Sequence, residues 1–296
     1  MTGNILVTGY SGFIGANLCK RLVEGGYAVV GADIKRAGLA GVEHHSVDVS
    51  DFRSFRSLPL DIDCVVHLAG ISFIPEAEED LLKTYDINVI GTYNTLKFHT
   101  KCENANYIFA SSSKVYGEPK YLPVDEKHPT NPTNSYGRSK KAAEDLIRVF
   151  HEERGGFFII LRQFNIYGPG QAGDFFIPTL LNQLSEGNKL KLGNITVKRD
   201  FLYVDDLVDA YMILIEKRVR GLNIFNVGGG KSMQLGDVVK TAAGLYGRRP
   251  EVNLDSAKLR KESKDIRSDN TKLCALGWKP KTSMAEGLGR IKEAGG

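Results

Sequence analysis

The chain has 296 residues, 42% hydrophobic and 25% charged, with 39 lysines and arginines against 35 aspartates and glutamates for a net charge of +4. That length suits one large domain or two closely joined ones, and the interspersed charges contain no basic block of the kind that binds nucleic acid. The small positive excess is compatible with a small anionic substrate.

Four scattered cysteines, Cys19, Cys64, Cys102 and Cys274, form neither a CxxC pair nor a disulfide framework. They read as thiols in a reducing compartment and imply no metal site. No apolar run reaches the ~18 residues of a membrane span, and the first strand begins within three residues of Met1, leaving no room for a signal peptide. The expectation is a cytoplasmic protein that does not engage a membrane.

In chain order, the apolar run Asn4 to Thr8 stops on Gly9-Tyr10-Ser11-Gly12-Phe13-Ile14-Gly15, and an amphipathic segment from Ala16 to Glu24 follows. A strand that turns on glycine and restarts as a helix leaves unpaired N–H groups where the helix dipole favours an anion, which is a seat for a pyrophosphate. Gly9 suits the tight turn, Gly12 admits the phosphates, and Gly15 lets helix and strand lie close. The next strand, Tyr27 to Ala32, ends on Asp33, near the expected ~20 residues beyond the loop. A carboxylate there accepts hydrogen bonds from ribose hydroxyls and repels a 2′-phosphate, favouring NAD over NADP. Lys35 and Arg36, directly after it, are either acceptors for such a phosphate or solvated loop charges.

Short β-rich runs then alternate with helical patterns, the rhythm of a parallel sheet. Glu43 to Val49 reads as a strand; His44 and His45 read as exposed imidazoles at its edge, and Asp48 either meets an adenine amino group or caps a helix. Asp61 to Leu68 is a nearly continuous apolar run, as in a strand covered on both faces. It ends in Leu68-Ala69-Gly70, small enough for a flat cofactor to pass. A helix is predicted from Pro75 to Thr100, with Asn88 and Gly91 in its middle lowering helix propensity and pointing to a packing or hydrogen-bonding role.

The fifth strand, Asn106 to Ala110, runs into Ser111-Ser112-Ser113, and the Gly- and Pro-rich loop Val115 to Pro132 is long enough to suggest function. Asn134 or Ser135 caps a helix beginning at Tyr136, on which Tyr136 and Lys140 share a face. A tyrosine serves as a base near neutrality only if positive charge stabilises its phenolate, and Lys140 supplies such a charge; a Tyr–Lys pair at this spacing also arises by chance.

Beyond Phe157 to Arg162 the rhythm breaks at Asn165-Ile166-Tyr167-Gly168-Pro169-Gly170. The predicted organisation is a dinucleotide-binding α/β domain over 1–165, with the chain returning to complete its doubly wound parallel sheet around 201–227. A smaller C-terminal α/β lobe covers 166–296.

Taken together, these motifs resemble the extended short-chain dehydrogenase/reductase family, in its nucleotide-sugar epimerase/dehydratase branch. The resemblance rests on the glycine loop, Asp33, Asp48, His67-x-Ala69, Asn88-Val89-x-Gly91-Thr92, Ser112 four residues before Tyr116-Gly117, and Tyr136-x-x-x-Lys140. It continues through Arg162-x-x-Asn165-x-x-Gly168-Pro169, Arg199-Asp200 and Leu276-Gly277-Trp278.

The resemblance implies a Rossmann-like domain holding NAD against Gly9, Gly12, Phe13, Ile14, Gly15, Asp33, Asp48, Val49, Leu68, Ala69, Gly70, Asn88, Tyr136 and Lys140. It also implies a second lobe gripping a nucleotide diphosphate sugar, and a homodimer formed through the helices around Glu79 to Thr100 and Ser135 to Arg154. Tyr136 then takes the proton of a sugar hydroxyl, Ser112 bonds the same oxygen, and Lys140 holds the nicotinamide ribose and lowers the Tyr136 pKa. Asn165 and Arg199 contact the diphosphate, with Arg267 as a second cationic contact.

Three reactions use this scaffold. Dehydratases follow the serine with an Asp-Glu pair, and Ser113 and Lys114 stand there instead, so elimination lacks its acid and base. Asp33 favours an NAD-retaining C4 epimerase working through a transient 4-keto sugar. Gly168-Pro169-Gly170-Gln171, together with the segment through Lys198-Arg199-Asp200-Phe201, also resembles the reductases of GDP-linked 4-keto-6-deoxy sugars. A dinucleotide-sensing protein without catalysis fits least, because Ser112, Tyr136 and Lys140 are all present.

Overall fold

Residues 3–255 and 263–295 are described by the computed structural model. The chain divides into two units, one built from 1–117, 129–163 and 208–226 and the other from 118–128, 164–207 and 227–296. In chain order the elements are β1 (Asn4–Thr8), α1 (Phe13–Glu24), β2 (Ala28–Asp33), β3 (Val42–Ser46), β4 (Cys64–His67), α2 (Ile74–Glu79), α3 (Leu81–Tyr85), α4 (Gly91–His99), β5 (Asn106–Ser112), α5 (Ser135–Arg154) and β6 (Phe157–Gln163). Then follow β7 (Asn165–Tyr167), α6 (Phe176–Glu186), β8 (Lys189–Leu192), β9 (Lys198–Tyr203), α7 (Val204–Lys217), β10 (Gly221–Val227), β11 (Ser232–Gln234), α8 (Leu235–Leu245), β12 (Glu251–Leu254), α9 (Thr271–Cys274) and α10 (Met284–Glu293).

The first unit carries a seven-stranded sheet in the order β10-β6-β5-β4-β1-β2-β3. From β6 to β3 every neighbouring pair is parallel. Ile5, Leu6 and Val7 of β1 are buried because helices cover both faces, which is why the strand reads as unbroken apolar sequence. Helix α1 buries Gly15, Leu18, Cys19 and Leu22, the single stripe expected of a helix lying on a sheet. On one sheet face Leu96 of α4 and Ala143 and Ile147 of α5 join Leu6, Val65, Phe109 and Ile160 in a single apolar core. The order in which strands are added across the sheet reverses between β1 and β4, so the loops after these two strands flank the switch point where doubly wound sheets bind ligands.

Three local departures from the sequence reading have physical causes. Strand β4 starts at Cys64, not Asp61, because the Asp63 carboxylate accepts the Asn4 N–H (2.8 Å) and Asp61 accepts the Asn4 side-chain amide, so both are spent on the strand end. The helix predicted over Pro75 to Thr100 is broken. Asp80 is extended and caps α3 through the Lys83 N–H (2.9 Å), and Asp86–Ile90 forms one turn of π-helix in which the Gly91 N–H reaches back to the Asp86 carbonyl. Strand β5 runs two residues further than expected, since Ser111 and Ser112 continue the ladder opposite Arg162 and Gln163.

The second unit holds a three-stranded sheet, β11-β9-β7, and a parallel pair, β12-β8. Buried Asp200 on β9 is its knot, accepting from the Ser268 N–H (2.8 Å) and hydroxyl (2.6 Å) and from the Gly229 and Gly230 N–H groups. Trp278 is buried and donates its indole N–H to the Asp206 carbonyl at 2.8 Å, which gives the Leu276-Gly277-Trp278 motif a structural role at the start of α7.

Candidate active site

The glycine loop between β1 and α1 is fixed by its own backbone. Gly9 has φ of +72°, open to glycine at little cost, and a Cβ there would lie 2.6 Å from the Ala69 nitrogen of the loop after β4. A Cβ on Gly15 would strike the Gly9 carbonyl, so the helix can start this close to the strand only with glycine. Helix α1 has Gly12 as its N-cap, without a side-chain cap bond and without an acidic residue in the first turn. Its leading N–H groups, at Phe13 and Ile14, therefore keep the positive end of the helix available to an anion.

The Asp33 carboxylate, at the end of β2, accepts from the Ser11 N–H (3.2 Å) and from the Lys35 N–H (3.0 Å), which ties it to the glycine loop. Lys35 and Arg36 are exposed. Beneath the loop, buried Tyr10 packs against Gly31, accepts the Ala37 N–H (3.0 Å) and bonds His44 Nδ1 (3.0 Å). His44 is therefore half-buried and partnered, not a free surface imidazole, and His45 bonds Glu43. These features fit a dinucleotide: a turn free of side chains, open N–H donors and a carboxylate placed for a ribose.

Asp48 is exposed and closes a local turn onto the Ser50 N–H (2.9 Å) and hydroxyl (2.8 Å). The short 3₁₀ turn that follows is capped by Asp51, so of the two roles weighed for Asp48 the cap falls to another residue. Val49 is buried beside Gly91, and its carbonyl accepts from Asn94 at 2.8 Å.

A directed chain of hydrogen bonds runs from the loop after β4 into the helices. His67 is fully buried between Thr8 Oγ1 (2.7 Å) and Thr92 Oγ1 (3.1 Å). Burial, with the nearby Lys140 charge, drives its pKa down to about 3, so the ring is neutral. The Thr92 hydroxyl already donates to the Asn88 carbonyl (2.7 Å), so the His67 proton belongs on Nε2 and Nδ1 accepts from Thr8.

Leu68, Ala69 and Gly70 follow on this surface, with Gly70 exposed. Asn88, 1% exposed, accepts from the Ile71 N–H (2.8 Å) and donates to the Ile71 carbonyl (3.0 Å) and to Ser139 Oγ (2.9 Å). One side chain thus joins the loop after β4 to the helix that carries Tyr136 and Lys140.

Helix α5 starts where Asn134 accepts the Gly137 N–H at 2.8 Å, which settles the cap in favour of Asn134. A Cβ at Gly137 would lie 2.5 Å from the Lys114 carbonyl, so the first turn sits directly against the segment after Ser112. That contact brings the Tyr136 hydroxyl close to Ser112. Burial raises the Tyr136 pKa above the ordinary phenol value, and the Ser112 side chain pulls it back part of the way.

Lys140 stands one turn further along the same face of α5. The lysine is itself buried, with its pKa pushed down to about 8 by desolvation, and its ammonium lies 4.7 Å from the Phe109 ring centre. Two further residues stand behind this group, Glu144 and Arg162, which form a buried ion pair at 2.6 Å. A glutamate four residues beyond Lys140, on the same face of α5, was the available signal.

In the second unit Asn165 donates to the Asp200 carbonyl (2.9 Å) from β7, which pairs with β9. Arg199 is 5% exposed, and its Nη1 donates to the carbonyls of Lys198 (2.7 Å) and Ser263 (2.8 Å). Arg267 is half-buried, and its carbonyl accepts the Val124 N–H at 2.7 Å. Among the described residues there is no cluster of side chains able to hold a metal ion, and no helix is long and apolar enough to cross a membrane.

A doubly wound sheet, a glycine-rich turn at an open helix N-terminus with a carboxylate tied to it, and a Ser–Tyr–Lys group are the features of a dinucleotide-binding protein. The chain belongs to the NAD-dependent epimerase/dehydratase family, whose model matches residues 5–228. It is 31% identical over 303 residues to GDP-6-deoxy-D-mannose reductase of Pseudomonas aeruginosa, covering 98% of this chain and 96% of that protein. It is 29% identical over 308 residues to UDP-glucose 4-epimerase of Halalkalibacterium halodurans, covering 95% and 92%. The UDP-glucose 4-epimerase of Thermotoga maritima, solved with UDP-glucose, matches with a TM-score of 0.90 at 28% identity over 98% of this chain and 97% of that one.

Proposed function

We propose that the protein is an NAD-dependent epimerase of a nucleotide diphosphate sugar, acting at C4 through a transient 4-keto sugar. The observation that carries this reading is the placement of the Tyr136 hydroxyl beside Ser112, one helical turn from Lys140. When bound, NAD supplies a hydride acceptor and a positive charge beside this group. Tyr136 takes the hydroxyl proton as the carbonyl forms and returns it when the carbonyl is reduced from the opposite face. Ser112 holds the same oxygen and stabilises the phenolate. Lys140 binds the nicotinamide ribose, and Asp33 the adenosine ribose. Asn165, Arg199 and Arg267 are the proposed contacts for the diphosphate, for which guanidinium groups are suited by their bidentate charge-assisted bonds.

We further propose a cytoplasmic homodimer. Free thiols at Cys19, Cys64 and Cys102 suit a reducing compartment. The exposed apolar side chains Leu82, Ile90, Tyr93 and Val149, with Tyr93 edge-on to Phe150 at 6.0 Å, support pairing through α3, α4 and α5 with a second copy.

A second reading, reduction of a GDP-linked 4-keto-6-deoxy sugar, is favoured by Gly168-Pro169-Gly170-Gln171 and by the Pseudomonas relative. Mass spectrometry of the dinucleotide released from purified protein, with NMR of UDP- and GDP-sugars incubated without added reductant, separates the two. Retained NAD and C4 epimers support the epimerase. Stoichiometric consumption of NADPH against a 4-keto substrate, without epimerisation, overturns it.

A further inference from the structure

The Glu144–Arg162 pair needs an explanation beyond stability. Both side chains are buried, at 0% and 2% exposure, and a buried pair of this kind is often matched or bettered by apolar residues of similar volume. The Glu144 carboxylate accepts from Arg162 Nε (2.9 Å) and Nη2 (2.6 Å) and from the Ser111 hydroxyl (2.6 Å), the neighbour of Ser112. Arg162 Nη1 donates to the Tyr116 hydroxyl (3.1 Å), which donates to Asn226 (2.7 Å).

Around Lys140, α5 presents Tyr136 and Glu144, β4 presents neutral His67, and β5 presents the Phe109 ring. The turn at 86–90 presents the Asn88 amide near Gly70. Glu144 stands one turn beyond Lys140 on the same buried face of α5, and its charge opposes the desolvation that strips the lysine of its proton.

We propose that Glu144, oriented by Arg162 and Ser111, is a positioning residue that keeps the Lys140 ammonium charged for the cofactor. This rests on the reading of Lys140 as the cation that holds the cofactor. Without Glu144 the lysine is left with desolvation alone, so its proton is lost at lower pH. Neutral Lys140 cannot offer a charge-assisted bond to the ribose or support a phenolate at Tyr136.

The test uses the full chain with Glu144→Leu combined with Arg162→Met, which removes both charges while keeping the volume, alongside Glu144→Asp and Lys140→Met. NAD binding is followed by calorimetry from acid to alkaline pH, turnover is profiled over the same range, and melting is recorded. Wild type should lose NAD affinity as pH rises through about 8, the Lys140 value in the free protein. The double variant should bind like wild type in acid and lose affinity at least about one pH unit earlier, a roughly tenfold deficit between the two limbs. Glu144→Asp should restore much of the limb.

An unmoved limb in a folded double variant overturns the proposal, and so does a double variant that fails to fold, which would make the pair structural. Lys140→Met should abolish the limb altogether. If it binds NAD with wild-type pH dependence, the reading of Lys140 fails, whatever Glu144 does.

Discussion

Replacing Asn88 by alanine isolates the link between the cofactor loop and the catalytic helix. The substitution removes the acceptor of the Ile71 N–H and the donor to the Ile71 carbonyl, both buried, and leaves Ser139 Oγ still donating to the Tyr136 carbonyl at 2.8 Å. Two buried backbone groups losing their partners cost ~1–3 kcal/mol each, so the expected loss is about 4 kcal/mol. For a unit of this size that lowers the melting midpoint by roughly 10 °C. NAD affinity falls as well, because the loop is no longer held where the cofactor must pass. Thermal unfolding with and without NAD measures both effects. Ser139→Ala, which spares Ile71, is the control and should cost about 1 kcal/mol. If Asn88→Ala costs no more than the control, Asn88 is not the link described.

Tyr136→Phe should retain NAD but lower turnover by ~10²–10⁴, and near wild-type turnover would remove Tyr136 from the chemistry. Asp33→Ala should weaken NAD and narrow its advantage over NADP in paired titrations, with Lys35 and Arg36 then the nearest cations; an unchanged preference would detach Asp33 from cofactor choice. Arg199→Ala should lower the melting midpoint, since the Lys198 and Ser263 carbonyls lose a donor, and should weaken UDP or GDP binding in calorimetry. A lowered midpoint with unchanged nucleotide affinity would make Arg199 structural only.

The last prediction concerns pH. Burial raises the Asp200 pKa to about 6 against an ordinary 3.8, so the folded state holds a proton between these values that the unfolded state lacks. The resulting cost, about 3 kcal/mol, is fully present above pH 6 and is relieved as pH falls toward 4. Unfolding of wild type and Asp200→Asn across that range should show wild type gaining on the variant as pH drops, and parallel curves would refute it.

The sheet, the glycine loop and the Tyr136–Lys140 face were legible because they follow from local pattern: unbroken apolar strands, glycines at a turn, and a helical period. Even the cap at Asn134 lay within reach. What the sequence could not show depends on contacts between segments far apart in the chain. The His67 tautomer is set by Thr8 and Thr92, and Asn88 matters because Ile71 and Ser139 converge on it. The Tyr136 pKa, raised by burial, depends on packing in the same way. An i,i+4 lysine suggests a charge close by, but the distance and the desolvation that decide its effect are properties of the packed site. Glu144 matters because Arg162 meets it from β6.

The π turn at Asp86–Ile90 carries a constraint on how this segment can vary in length. An α-helix advances about 100° per residue, so one residue gained or lost before α4 rotates everything after it by that angle. With the wide turn in place, Asn88 and Thr92 face inward while Leu82 and Ile90 stand exposed at 84% and 46%. Deleting one residue in the turn would return the segment to regular α-helical register and swing Thr92 away from His67. It would also carry Tyr93 off its ring contact with Phe150. The inner hydrogen bonds and the outer apolar surface are therefore phased by a single extra residue, and neither can be re-registered without the other.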